Sequence, residues 1–108
     1  MTTTLGELAR LIRSKNAGPF WMTIDAFFAT ASDFNRAAAS PLTDPLVISA
    51  LYGVPADAVQ VFLLDQLNAI KISVPRPVAA GAVNDADLHA GQQYVPLLPI
   101  EIPPEDPS

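Results

Sequence analysis

Residues 69 to 77 constrain the fold of this chain more than any other stretch. Ile70, Ile72 and Val74 alternate with Lys71 and Ser73, the period of a strand with one face in a core and the other toward polar surroundings. Pro75-Arg76-Pro77 ends it, because proline has no N–H to give to a ladder. A chain that must cover one face of a sheet and leave the other polar needs a second layer over the apolar side.

That second layer and the remaining strands can be placed along the chain. Thr4-Leu5-Gly6-Glu7 has the spacing of a capping box, and Leu5, Leu8, Ala9 and Ile12 follow at helical spacing, which predicts a short helix over 5–12. Arg13 to Phe20, with Asn16-Ala17-Gly18-Pro19 inside it, reads as a polar loop. From Trp21 to Ala29 the pattern alternates, with Trp21, Thr23 and Asp25 on one face and Met22, Ile24 and Ala26 on the other, so a strand is expected. Ser32 is the expected cap of a short helix bearing Phe34, Ala37 and Ala38. Thr43 is the expected cap of a second helix that begins with Pro45, carries Val47, Ala50 and Leu51, and ends at Gly53. Val59–Leu64 and Ala69–Val74 are then two strands joined by Asp65-Gln66-Leu67-Asn68. After an Ala- and Gly-rich loop over 78–86, a helix from Asp87 to Tyr94 and an edge strand over Leu97–Ile102, interrupted by Pro99, complete the pattern. Helices grouped between hairpin-like strands predict an α+β, two-layer sandwich, and a ferredoxin-like layout is the simplest of that kind. Residues 1–102 are read as a single domain and 103–108 as a flexible acidic tail.

Composition narrows the function. The chain has 108 residues, 50% of them hydrophobic and 16% charged, enough apolar material for one core and too much for a disordered chain. No run approaches the roughly 20 apolar residues of a membrane span, and Met1-Thr2-Thr3-Thr4 does not open a secretory signal. Cysteine is absent, which removes disulfides, thiolate catalysis and Cys-based zinc sites and fits a reducing cytoplasm. With one histidine, His89, a multi-histidine metal site cannot form within one chain, and no metal or cofactor is expected. The net charge of −5 argues against nucleic acid, whose phosphates need surplus Lys and Arg.

The few basic residues are grouped. Arg13-Ser14-Lys15-Asn16 puts two cations, a hydroxyl and an amide together, the mixture that a carboxylate or phosphate needs. Asn68, Lys71 and Arg76 could converge on the same anion, or the whole set could be a solvated surface. His89, Gln92 and Gln93 form a second group that shares one face at helical spacing. Its histidine could act as a general base, or the three could be a surface polar cluster, since no nucleophile or carboxylate is evident beside it. Glycine-rich phosphate loops, a Gly-x-Ser-x-Gly elbow and a His-Glu-x-x-His helix are all absent. Phe20, Trp21, Phe27, Phe28, Phe34 and Phe62 are either core or an apolar patch that buries against a partner.

With these segments in view, the chain resembles domain-of-unknown-function family 4387. The resemblance rests on Arg-Ser-Lys-Asn-Ala-Gly-Pro-Phe at 13–20, Leu-Tyr-Gly-Val-Pro at 51–55 and Asn-Ala-Ile-Lys-Ile-Ser-Val-Pro-Arg-Pro at 68–77. His89 with Gln92-Gln93, and Pro96-Leu97-Leu98, complete it. Such proteins look like small companions of the AtuA family, named for acyclic terpene utilisation. The C-terminal domain of AtuA-like proteins is ferredoxin-like and carries an Arg-Ser-Gly-Asp-Lys-Gly loop where this chain has Arg13-Ser14-Lys15-Asn16, without the Gly-Asp insertion. The resemblance implies a small subunit of a two-component enzyme whose larger part is an AtuA-like chain. It also implies hydratase- or lyase-type chemistry in the breakdown of carboxylic acids or their coenzyme A thioesters. Two other readings stand beside it, a structural or regulatory interaction module without a ligand and a free-standing small enzyme using His89. A ferredoxin-like domain can in addition self-associate through its sheet edges, giving a homo-oligomer.

Overall fold

The computed structural model describes residues 3–18, 20–75 and 95–104. They build an α+β domain with two antiparallel sheets and three α-helices. The chain starts with β1 (Thr3–Thr4) and turns into α1 (Leu5–Leu8). The capping box read from the sequence is formed. Thr4 Oγ1 accepts the Glu7 N–H at 3.3 Å, and Glu7 Oε1 accepts the Thr4 N–H at 3.1 Å and its hydroxyl at 3.0 Å. These bonds, the one from the Thr4 backbone first, hold the Glu7 carboxyl below the ordinary carboxylate range.

The helix stops after one turn instead of running to residue 12. Ala9 is extended and the chain enters β2 (Leu11–Asn16). An isolated two-turn helix is marginal in water, whereas β2 gains six residue pairs with β3 (Trp21–Phe27), from Leu11↔Phe27 to Asn16↔Met22. The first half of the expected loop over 13–20 is therefore strand, and the chain turns after Asn16, where Gly18 takes φ +85°.

The helical layer follows. In α2 (Ala31–Ala38) the cap is Thr30, whose hydroxyl oxygen accepts the Asp33 N–H at 3.1 Å, two residues before the expected Ser32. A 3-10 turn at Pro41–Thr43 leads to α3 (Pro45–Tyr52). Its cap is Asp44, which accepts from Leu46 N–H at 2.9 Å; the expected Thr43 instead donates its hydroxyl to Ala38 and Ser40 carbonyls. Gly53 ends the helix as read, in the left-handed region at φ +66°.

Strands β4 (Gln60–Leu64) and β5 (Ala69–Pro75) are antiparallel, joined by a 3-10 turn at Asp65–Leu67 and by Asn68 at φ +49°. The large sheet has the order β2-β3-β5-β4 with every pairing antiparallel. A 3-10 turn at Val95–Leu97 and the two-residue β6 (Glu101–Ile102) stand where an edge strand over 97–102 was expected. β6 pairs with β1 in a second sheet. The large sheet and the longer helices run in the order β2-β3-α2-α3-β4-β5, with β1 and β6 in a separate sheet, so the ferredoxin-like expectation is not confirmed. Both longer helices lie in one connection, between β3 and β4, and the two sequential hairpins meet through β3 and β5.

Met22, Ile24 and Ala26 of β3 and Ile70, Ile72 and Val74 of β5 form one wall of the core. Phe34, Ala37, Leu42, Ile48 and Tyr52 form the other, and Leu5, Leu97 and Ile102 extend it. Each of the Leu, Ile, Val, Met and Phe side chains among them contributes about 1.5–3 kcal/mol by leaving water. The small sheet is tied to α2 by Arg36, which donates from Nε to the Pro103 carbonyl at 3.1 Å and from a terminal nitrogen to Thr3 Oγ1 at 3.0 Å. Its other terminal nitrogen lies 3.9 Å from Asp33. The expected loop at 78–86, helix at 87–94 and most of the acidic tail lie outside the described residues.

Candidate functional site

Register decides which side chains share a face, since directly opposed residues of neighbouring strands point the same way. One row crosses the sheet as Arg13, Asp25, Lys71 and Phe62. The next row is Lys15, Thr23, Ser73 and Gln60. Both lie on the face opposite the one formed by Ile24, Ile72 and the helices. The basic segment of β2 and the lysine of β5 are thus brought to one side of the sheet, with β3 between them. At the usual strand spacing the backbones of Arg13 and Lys71 stand about 10 Å apart.

The arrangement carries surplus positive charge. Arg13, Lys15 and Lys71 contribute three cations to the two rows and Asp25 one carboxylate. Arg13 is exposed, and its guanidinium lies 5.2 Å from the centroid of the Phe27 ring, a cation–π contact that restrains a flexible side chain. Lys71 is half-buried. Between the two cation-bearing strands the Thr23 side chain is buried, 6% exposed, and its hydroxyl has no hydrogen-bond partner. A buried hydroxyl without a partner is costly, and it sits one row from the Arg13–Lys71 pair. Such a face can hold an anion through two or three charges. A pocket formed by described residues lies elsewhere, lined by Leu63 to Leu67 at the β4–β5 connection.

The expected group at 13–16 divides. Arg13 and Lys15 share the open face, while Ser14 and Asn16, at alternate positions of the same strand, face the helical side and are half-buried. Asn68 serves the backbone. It takes the left-handed conformation that Asn tolerates, and its carbonyl accepts the Phe28 N–H at 2.8 Å. Arg76, His89, Gln92 and Gln93 lie outside the described residues. Asp25, Thr23 and Phe27 were not among the expected site residues. The signal for the first two was the alternation of Trp21, Thr23 and Asp25, which becomes informative once β2 is known to pair beside it.

The aromatic residues divide between core and surface. Phe28 and Phe34 are core, whereas Phe20, Trp21 and Phe62 are exposed. Among the described residues no group of three or more metal-ligating side chains occurs, and no helix is long and apolar enough to cross a membrane. Neither the curated proteins nor the solved structures include a match to the sequence. Residues 5–101 match the family described as domain of unknown function (DUF4387), and the chain belongs to that family.

Proposed function

We propose that the protein is a small cytoplasmic subunit of a two-component AtuA-like enzyme, to which it contributes an anion-binding face. Arg13, Lys15 and Lys71 would bind the carboxylate of an organic acid, or a phosphate of its coenzyme A thioester, while the larger chain supplies hydratase- or lyase-type chemistry. The supporting observation is the row in which Arg13 and Lys71 flank Asp25 on the sheet face away from the helices. Two cations carried on strands of one sheet bind an anion with less ordering cost than two on a mobile loop. A ligand oxygen reaching the Thr23 hydroxyl would satisfy a group otherwise without a partner.

The test is reconstitution with the larger AtuA-like chain. Hydration of unsaturated carboxylic acids and their thioesters is followed with the small chain present, absent, or carrying Arg13→Ala and Lys71→Ala together. Activity should need the small chain, and the double variant should lower affinity for substrate by at least about tenfold, in keeping with the loss of charge-assisted contacts. Full activity without the small chain would remove the proposal.

The exposed Phe20, Trp21 and Phe62 favour a second reading, an interaction module without a ligand. Under that reading the basic substitutions leave activity unchanged, and changes at the aromatic surface abolish assembly.

A further inference from the structure

The two edges of the large sheet are unlike. Edge strand β2 shows Arg13 and Lys15 to its surroundings, the kind of charge that keeps a second strand from adding to an edge. Edge strand β4, Gln60–Leu64, has neither a charge nor a proline, and among the described residues only β5 pairs with it. Its apolar side chains point both ways. Phe62 shares the face of Lys71 and is 44% exposed, while Leu63, on the helical face, is 51% exposed. Apolar residues on both faces are the pattern of a strand inside a sheet, yet here they stand at its border.

We propose that β4 is the dimer edge, and that two copies of this chain pair antiparallel through it with Phe62 at the two-fold axis. A second copy fits because the strand complements itself. With Phe62 opposite Phe62, Val61 of each copy meets Leu63 of the other and Gln60 meets Leu64. The flanking acids are kept apart, since Asp65 falls opposite Val59 and Asp57 opposite Leu67. A parallel pairing in register would instead set Asp65 beside Asp65 on chains that each carry a net charge of −5. The contact is isologous, so it closes at two copies and leaves the charged β2 edges outside. It joins the sheets into one of eight strands, and the row Arg13–Asp25–Lys71–Phe62 continues through the axis into the same row reversed.

Sedimentation equilibrium of the full chain reads the result. The wild type should have the mass of two chains. Phe62→Lys should have the mass of one with an unchanged circular dichroism spectrum, while Leu46→Lys, at a 70% exposed position on α3, should stay at two. Because the chain has no cysteine, Phe62→Cys places a lone thiol at the axis. Oxidation by copper phenanthroline should link it into covalent dimers, and Leu46→Cys should remain unlinked. A wild type with the mass of one chain overturns the proposal, whatever else binds the strand. So does a folded Phe62→Lys that remains a dimer. Should Phe62→Lys fail to fold, the absence of linked Phe62→Cys overturns it equally.

Discussion

Asp25 of β3 stands directly opposite Lys71 of β5, and Arg13 of β2 stands opposite the same aspartate from the other side. The carboxylate moderates the charge of the row and competes with any anion that approaches it.

We therefore predict opposite effects for the two partners. In calorimetric titrations with inorganic phosphate, Lys71→Gln should weaken binding. Asp25→Asn should strengthen it by roughly fivefold, since a unit charge at contact distance near a surface is worth on the order of 1 kcal/mol or more. Asp25→Asn binding no better than the wild type would show that the row does not carry the anion.

Arg36 holds the second sheet to α2 by two hydrogen bonds, to Thr3 and to the Pro103 carbonyl. Arg36→Ala should cost about 1–3 kcal/mol in urea unfolding. It should also speed hydrogen exchange in β1 and β6 more than in β3 and β5. Uniform acceleration across both sheets would contradict this.

Ile72 lies at the centre of the core and is 2% exposed. Ile72→Ala should destabilise the domain by about 2–5 kcal/mol, through lost transfer energy and the cavity left behind. Leu46→Ala, on the exposed side of α3, should stay within about 0.5 kcal/mol of the wild type. Equal losses at the two positions would mean that α3 is packed differently.

Burial raises the Tyr52 phenol well above its ordinary value. The folded state thus holds the proton more tightly than the unfolded state does. The resulting stability is fully present below the usual phenol value near 10 and is lost as pH rises from there toward the raised value. Tyr52→Phe should flatten the alkaline limb of a plot of urea midpoint against pH and leave the neutral region without that slope. A limb unchanged in the variant would assign the alkaline loss to other groups.

Where local chemistry alone decides, the sequence was legible. The alternation ending at Pro75, the Thr4–Glu7 box and the stop at Gly53 each depend on neighbours in the chain, and each is found. β2 was not legible as a strand. Leu5 to Ile12 has a pattern that suits a helix and Arg13 to Asn16 reads as loop, and the choice is made by pairing with β3, which no local window contains. The same choice governs the site. Arg13, Lys15 and Lys71 could be named from composition, but their common face follows from register. Ser14 and Asn16 left the group because strand geometry turns alternate residues to the other side.

The pairing of Thr3 with Ile102 has a consequence for biosynthesis. The amides of Leu5 and Gly6 find their acceptors at Ile100 and Leu98, so the β1–α1 segment waits for a stretch made much later in the chain. The hairpins β2–β3 and β4–β5 close over short stretches, whereas this clasp closes a loop spanning almost the whole domain and carries the larger entropic penalty. A nascent chain can settle its central sheet early, but β1 and α1 are fastened only once residues 98–102 have left the ribosome.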